Sequence, residues 1–544
     1  MRFAESLRTL PAAGLALLAT AGSVAAVHGA VSTEPREQPR DRTVTVLHMS
    51  DTHAALDVHP EVFFDAKDQP TLRRAGGFAL LAAAVQAERQ ARPGRTMLVN
   101  VGDTIHGSAV AEWTQGKAIV PIVNRLGIDV FVPGNWEYAY GPETFRKRMA
   151  ELNHPVAAIN LHDAQTGQRL YAPSVVKEID GVRIGVVGIT SVIVDKSMAP
   201  DYSRGLKFTF KEGVQAEVDR LRREGVEVVL LATELGLAQE TRLAREIRNV
   251  DFILGGHTHE RTERPITDGG IPVVQSGSEG SFLTRLTFRV RDGKVAGYEH
   301  QLLEVTPERY RPDPEVQRLV EAAQAPFAGK LKQVVGHTET HLYRKGVLES
   351  SMDNLIADAV REATGADIGM TNGFRFSYPV PAGPITEEDL LNIFPMHAPV
   401  KVGTMTGRQL REFWEESLEQ VFASDAYGQR GGWGPRPSGM EVRVRIGAPQ
   451  GQRVVWMKVN GRPVREDDRF TVATCDRPGD PKEMLCRYHG AAETQVLEMG
   501  IHDAMRQYLR RHRTISPRVE GRISAEDASG TVFSQYELQK AAKP

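Results

Sequence analysis

Four apolar, largely β-branched runs, at residues 44–47, 97–101, 128–132 and 250–254, each end in a short polar segment. The segments are Ser50-Asp51-Thr52-His53, Gly102-Asp103-Thr104, Gly134-Asn135-Trp136-Glu137 and Gly256-His257-Thr258-His259. Runs of this kind read as buried strands. Strands that each hand over an Asp, His or Asn at the C-terminal end can converge on one crevice only if they share a layered sheet. Amphipathic patterns at residues 77–89 and 212–224 alternate with further strand-like runs at 183–189 and 227–231, so the first half reads as an α/β layered unit. Residues 284–290 and 294–299, joined through Asp292-Gly293, read as a closing hairpin.

Arg2 and Arg8 precede an apolar stretch at 10–27, with small residues at Ser23-Val24-Ala25 and Ala30. Residues 1–30 therefore read as an export signal, which directs the mature chain to the periplasm or outside the cell; an uncleaved anchor is the alternative. No later segment reaches membrane-spanning length. Lys and Arg total 67 against 69 Asp and Glu, a net charge of −2, so no broad basic surface argues for nucleic acid. In an exported chain the two cysteines, Cys475 and Cys486, read as a disulfide rather than a metal site; two reduced thiols are the other reading.

The first unit is expected over residues 43–305. Residues 306–334 form a proline-broken connector with a helix kinked at Pro326. A second α/β unit is expected over 335–525, in which a helix at 352–363 precedes a strand at 367–371, followed by a polar tail at 526–544.

Two-metal hydrolases need hard anionic and imidazole donors, one carboxylate bridging the ions, and an open position for a hydroxide. Asp51 and His53 are two apart, so both can reach one ion from a loop leaving a strand. Asp103 is the candidate bridge, and His257 and His259 repeat the two-apart spacing. Gly102 and Gly134 let backbone come close to the ions.

Val46-Leu47-His48-Met49-Ser50-Asp51-Thr52-His53-Ala54, Gly102-Asp103 and Gly256-His257-Thr258-His259 resemble the calcineurin-type metallophosphoesterases. Met352-Asp353-Asn354-Leu355-Ile356-Ala357-Asp358-Ala359, Thr371-Asn372-Gly373-Phe374-Arg375 and Gly383-Pro384-Ile385-Thr386 resemble the C-terminal domain of the exported 5'-nucleotidase family. The likeness spans residues 43–525. It implies a four-layer α/β sandwich followed by a second α/β domain that supplies the substrate pocket. It implies a hydrolase of small phosphoesters or nucleotides in which a metal-bound hydroxide attacks. One divalent ion would sit at Asp51, His53, Asp103 and His259, the other at Asp103, Asn135 and His257. Arg375 would grip a phosphate or sulfonate through its planar fork, and Trp433 stands where the nucleotidases stack a base.

The chain departs from that pattern in two places. Where the family supplies a further His, Ala232-Thr233-Glu234-Leu235-Gly236 offers Glu234. As a ligand it would shift preference toward manganese- or magnesium-like ions over zinc; a helix-capping Glu is the other reading. The family's catalytic His and its orienting Asp are replaced by Trp136 and Ala139, a loss worth ~10²–10⁴ in rate for a positioned acid. Asn135, Arg375 and His106 remain as candidate catalytic groups, His106 being the nearest substitute by sequence, with a supporting hydrogen bond as its alternative role. Trp136-Glu137-Tyr138-Ala139-Tyr140-Gly141 resembles the thiosulfohydrolase branch of the family, which releases sulfate from a thiosulfonate on a sulfur carrier protein. Sulfur leaving groups of low pKa depart without protonation. A metal-binding protein without turnover is the third reading.

Overall fold

The computed structural model describes residues 41–65, 70–485 and 487–528. The expected export signal, Cys486 and the chain from 529 onward lie outside these residues. Cys475 is buried at the end of the strand Arg469–Cys475.

The four apolar runs are strands buried on both faces, which explains why they read as unbroken hydrophobic stretches instead of alternating ones. Arg42–Ser50 pairs in parallel with Thr96–Val101, which pairs in parallel with Val130–Val132. On its other side Arg42–Ser50 meets Phe282–Arg291 antiparallel, and that strand turns back as Lys294–Glu304. The turn uses Asp292 and Gly293 at φ 52° and 73°, as a two-residue hairpin between twisted strands requires. A second five-stranded sheet runs in the order Val273–Gln275, Phe252–Gly255, Val228–Thr233, Val182–Ile189, Ser174–Ile179.

Val46, Val99 and Val130 of the first sheet share one core with Val186, Leu230 and Leu254 of the second, so the two sheets pack face to face. The helix Phe78–Ala91 covers the outer face of the first sheet through Leu80, Leu81 and Val85. The helix Val214–Arg223 covers the second through Val214, Val218 and Leu221. The result is a helix–sheet–sheet–helix sandwich.

The helix Pro314–Gln324, capped by Asp313, gives way to a 3₁₀ turn Ala325–Phe327 and a short helix Ala328–Leu331. Pro326 has no N–H to continue the ladder, so the break falls where the sequence places it. Beyond it, a mixed sheet of Trp433–Ser438, Ile368–Gly373, Arg469–Cys475, Pro399–Thr406 and Ala492–Gly500 packs against Ser351–Thr364 and Ile501–His512. Among the described residues, no sheet joins strands ending by residue 304 to strands starting at 334 or later. No described helix is long and apolar enough to cross a membrane.

Candidate metal centre

Parallel register brings the strand ends level. Ser50 pairs with Val101, Val101 with Val132, and Thr233 with Gly255, so Asp51, Asp103 and Asn135 leave one sheet beside Glu234 and His257 leaving the other. Asp51, His53, Asp103, His257 and His259 all have positive φ, between 45° and 72°. Such backbone is uncommon outside glycine and turns each side chain sharply off its strand. Two glycines make the close approach possible. A Cβ on Gly134 would lie 2.2 Å from Asp103 Oδ1, and one on Gly256 would lie 2.3 Å from Glu234 Oε1.

Glu137 ties two of these loops together. Its buried carboxylate accepts the backbone N–H groups of Asp103 (2.8 Å), Thr104 (2.5 Å), Ile105 (3.2 Å) and Gly134 (2.6 Å). Glu240 does similar work in the second sheet, accepting from Thr233 Oγ1 (2.9 Å), Gly236 N (3.2 Å), Gly256 N (3.3 Å) and Gln275 Nε2 (2.8 Å). Neither Glu stands out in the sequence, because a glutamate that accepts from backbone and from side chains of separate loops carries no spacing signature.

The donor atoms fall into two groups, Asp51–His53–Asp103–His259 and Asp103–Glu234–His257, each within 4.8 Å and sharing Asp103. In the first, His53 Nε2 and His259 Nε2 are 3.1 Å apart and His259 Nε2 is 3.2 Å from Asp51 Oδ1. In the second, His257 Nδ1 lies 2.8 Å from Asn135 Oδ1 and 3.7 Å from Glu234 Oε2. Burial holds His53 and His257 well below the ordinary imidazole range, in the neutral form a metal requires. Burial, then the Glu137 and Asp51 carboxylates, pushes Asp103 well up. Glu234 is pushed the same way by burial and then by Asp103 and Asp51. It is wholly buried, and among the described residues neither of its oxygens has a hydrogen-bond partner. A buried carboxylate without hydrogen bonds is costly unless a cation sits against it. This donor set of carboxylates, imidazoles and one amide fits two hard divalent ions.

One cavity opens onto this cluster, lined by Asp103, Asn135, His257 and His259 together with Trp136, Arg375 and Trp433. Arg375 donates to Gly432 O at 2.9 Å and is drawn down to about 10 by burial. Trp433 reaches the cavity but is only 5% exposed and packs in the core of the second half. His106 does not reach it. It is 1% exposed and stacked behind Trp136, with ring centroids 4.4 Å apart and planes 11° apart, and burial draws it down to about 3. Arg430, Arg477 and Arg487 also line the cavity. No spacing rule distinguishes them from surface arginines, since the loops that carry them meet only in the fold.

Two facing sheets whose strand ends pool carboxylates and imidazoles around one shared aspartate define a metal-dependent hydrolase of the metallophosphoesterase type. Residues 44–261 match the calcineurin-like phosphoesterase family, and residues 331–477 match the 5'-nucleotidase C-terminal domain. The chain belongs to the family that joins these two domains. The trifunctional nucleotide phosphoesterase YfkN of Bacillus subtilis is 24% identical over 88% of the chain, which spans 35% of that protein's length. The solved sulfate thiohydrolase SoxB of Thermus thermophilus superposes with a TM-score of 0.81 at 23% identity, covering 90% of this chain and 98% of that one. A 5'-nucleotidase precursor from Thermus thermophilus superposes at 0.79 with 22% identity, covering 90% and 100%. Both structures share the fold.

Proposed function

We propose that the chain is an exported two-ion hydrolase of anionic esters, phosphoesters or nucleotides in the first place. One ion would be held by Asp51, His53, Asp103 and His259, the other by Asp103, Asn135, Glu234 and His257. The observation that carries the reading is the pair of donor groups sharing Asp103, beside a buried Glu234 with no hydrogen-bond partner among the described residues. Bound divalent ions, with manganese the best match to the oxygen-rich donor set, would acidify a water and offset charge on the ester oxygens. Arg375, at the cavity wall, binds the remaining oxyanion. Trp136 excludes solvent from that wall, and His106 backs it rather than touching substrate.

Trp136 favours a second reading of the substrate. Trp136, not a histidine, directly follows Asn135 on the cavity wall, and among the described residues that line the cavity His397 is the sole histidine outside the donor cluster. An alkoxide leaving group then lacks an acid from position 136, whereas a sulfur leaving group of low pKa needs none. In a thiosulfonate on a sulfur carrier protein, water oxygen would bond to the sulfonate sulfur, the S–S bond would break, and the carrier sulfur would leave as a thiolate. Offering the manganese-loaded protein 5'-nucleotides, bis-p-nitrophenyl phosphate and a thiosulfonate-bearing carrier separates the two. Turnover of the carrier alone overturns the phosphoester reading; turnover of nucleotides alone overturns the other.

A further inference from the structure

Three consecutive residues of the second half, Phe376, Ser377 and Tyr378, dock one after another onto the first half beside one of the two donor groups. The Phe376 ring lies flat on the His53 imidazole, with centroids 4.2 Å apart and planes 14° apart, and is 2% exposed. Ser377 N donates to Glu279 Oε1 at 3.0 Å, and Glu279 N in turn donates to the carbonyl of Asp51 at 2.8 Å. Tyr378 stacks on His59, centroids 4.7 Å apart, and His59 Nε2 lies 3.0 Å from the carbonyl of Glu279.

The tripeptide is held rigidly from behind. Arg344 donates to Phe376 O at 3.0 Å and to Ser377 Oγ at 2.7 Å, and Ser377 Oγ donates to Asn392 O at 2.6 Å. Arg344 is itself anchored on the buried Asp353 at 3.0 Å. Ser377 has φ 105°, a region that a residue with a Cβ occupies only when its surroundings impose it. Such strain persists where a precise placement is being enforced. Here that placement bears on His53 by ring contact and on Asp51 through Glu279, and both belong to the same donor group. The second donor group meets the second half elsewhere: Arg375 Nη1 lies 3.5 Å from His257 O, and a Cβ on Gly431 would lie 2.2 Å from His257 Nε2.

We propose that Phe376 is a positioning residue for one ion only, a side chain without donor atoms that fixes the His53 ring so that the Asp51–His53–Asp103–His259 group holds its cation. The inference rests on the two-ion reading above. An imidazole free to rotate about its two side-chain torsions loses the preorganisation that outer partners give a ligand, which costs ~10–100-fold in metal affinity.

The test is a titration of manganese into metal-free full-length chain, read by bound-metal stoichiometry and by the electron paramagnetic resonance signal of coupled manganese pairs. Wild type should take two ions. Phe376→Ala should keep one tight ion and bind the second ~10–100-fold more weakly, with the coupled-pair signal delayed to higher manganese. Phe376→Leu retains apolar bulk without a flat face, so it stays folded and should show the same selective loss even if Phe376→Ala does not fold. Equal weakening of both ions in Phe376→Leu, or wild-type binding of both, overturns the proposal. Wild type that fails to take two ions overturns the two-ion reading itself, a result distinguishable from either.

Discussion

Replacing Glu234 by Gln should have opposite effects on the metal-free and the metal-loaded protein. The side chain is 0% exposed, its oxygens have no hydrogen-bond partner among the described residues, and Oε2 lies 3.7 Å from Nδ1 of the neutral His257 imidazole. The helix Leu237–Leu243 that follows has Gly236 at its N-cap and no side-chain cap, so Glu234 is not serving as one. Without a cation, burial and the neighbouring Asp103 and Asp51 force the carboxyl toward its protonated form at a cost to folding, and Glu234→Gln removes that penalty. With cations present, the same change deletes one of three carboxylates in the donor set. Even loss of an outer partner costs ~10–100-fold in affinity; a ~100-fold loss corresponds to about 2.7 kcal/mol less stabilisation by excess metal. Thermal melts of the two proteins, each stripped and then reloaded with manganese, supply the assay. The stripped variant should melt above stripped wild type and the loaded variant below loaded wild type. A variant that holds two ions with wild-type affinity, or that melts lower when stripped, would falsify the assignment of Glu234 as a ligand.

Asp103→Ala removes the residue both groups share and should abolish paired metal binding, measured as bound metal per chain; retention of both ions contradicts the bridge. The double change Trp136→His with Ala139→Asp should raise phosphoester turnover by ~10²-fold or more if the missing acid limits it, read as kcat on a p-nitrophenyl ester. Asp353→Asn leaves Arg344 (3.0 Å) and Arg436 (3.3 Å) buried without their carboxylate and should cost ~3–5 kcal/mol in denaturant unfolding. Burial pushes Glu112 up to about 7. The folded state therefore holds a proton that the unfolded chain releases at about 4.5. The stability this carries is full below about 4.5 and is lost as pH rises through about 7, roughly 3 kcal/mol in all. Glu112→Gln should remove that slope from a plot of unfolding free energy against pH, and an unchanged slope refutes it.

The donor residues could be read from the chain because each follows a run of buried strand, and a parallel sheet must bring strand ends to one edge. The hairpin at Asp292-Gly293 and the break at Pro326 were legible for an equally local reason: a positive φ at two adjacent residues, and a missing N–H. What stayed hidden depends on where separate loops meet. Glu137 looks like one more acidic residue until its carboxylate is seen holding four backbone N–H groups. Phe376 sits between Arg375 and Ser377, just past the motif at residues 371–375, and its contact with His53 spans more than 300 positions of sequence. His106 shows the converse error that proximity in sequence invites. It is three residues from Asp103, yet Trp136 stands between it and the cavity, so nearness to a ligand along the chain did not become nearness to substrate. Trp136 itself is legible as a departure, but its consequence is not. Only with its ring stacked on His106 and facing Phe376, centroids 5.1 Å apart, does it become a wall that closes off the histidine nearest in sequence to the lost one. The substrate therefore turns on whether its leaving group can depart past an apolar wall, a question of leaving-group pKa that the family's shared ligands do not answer.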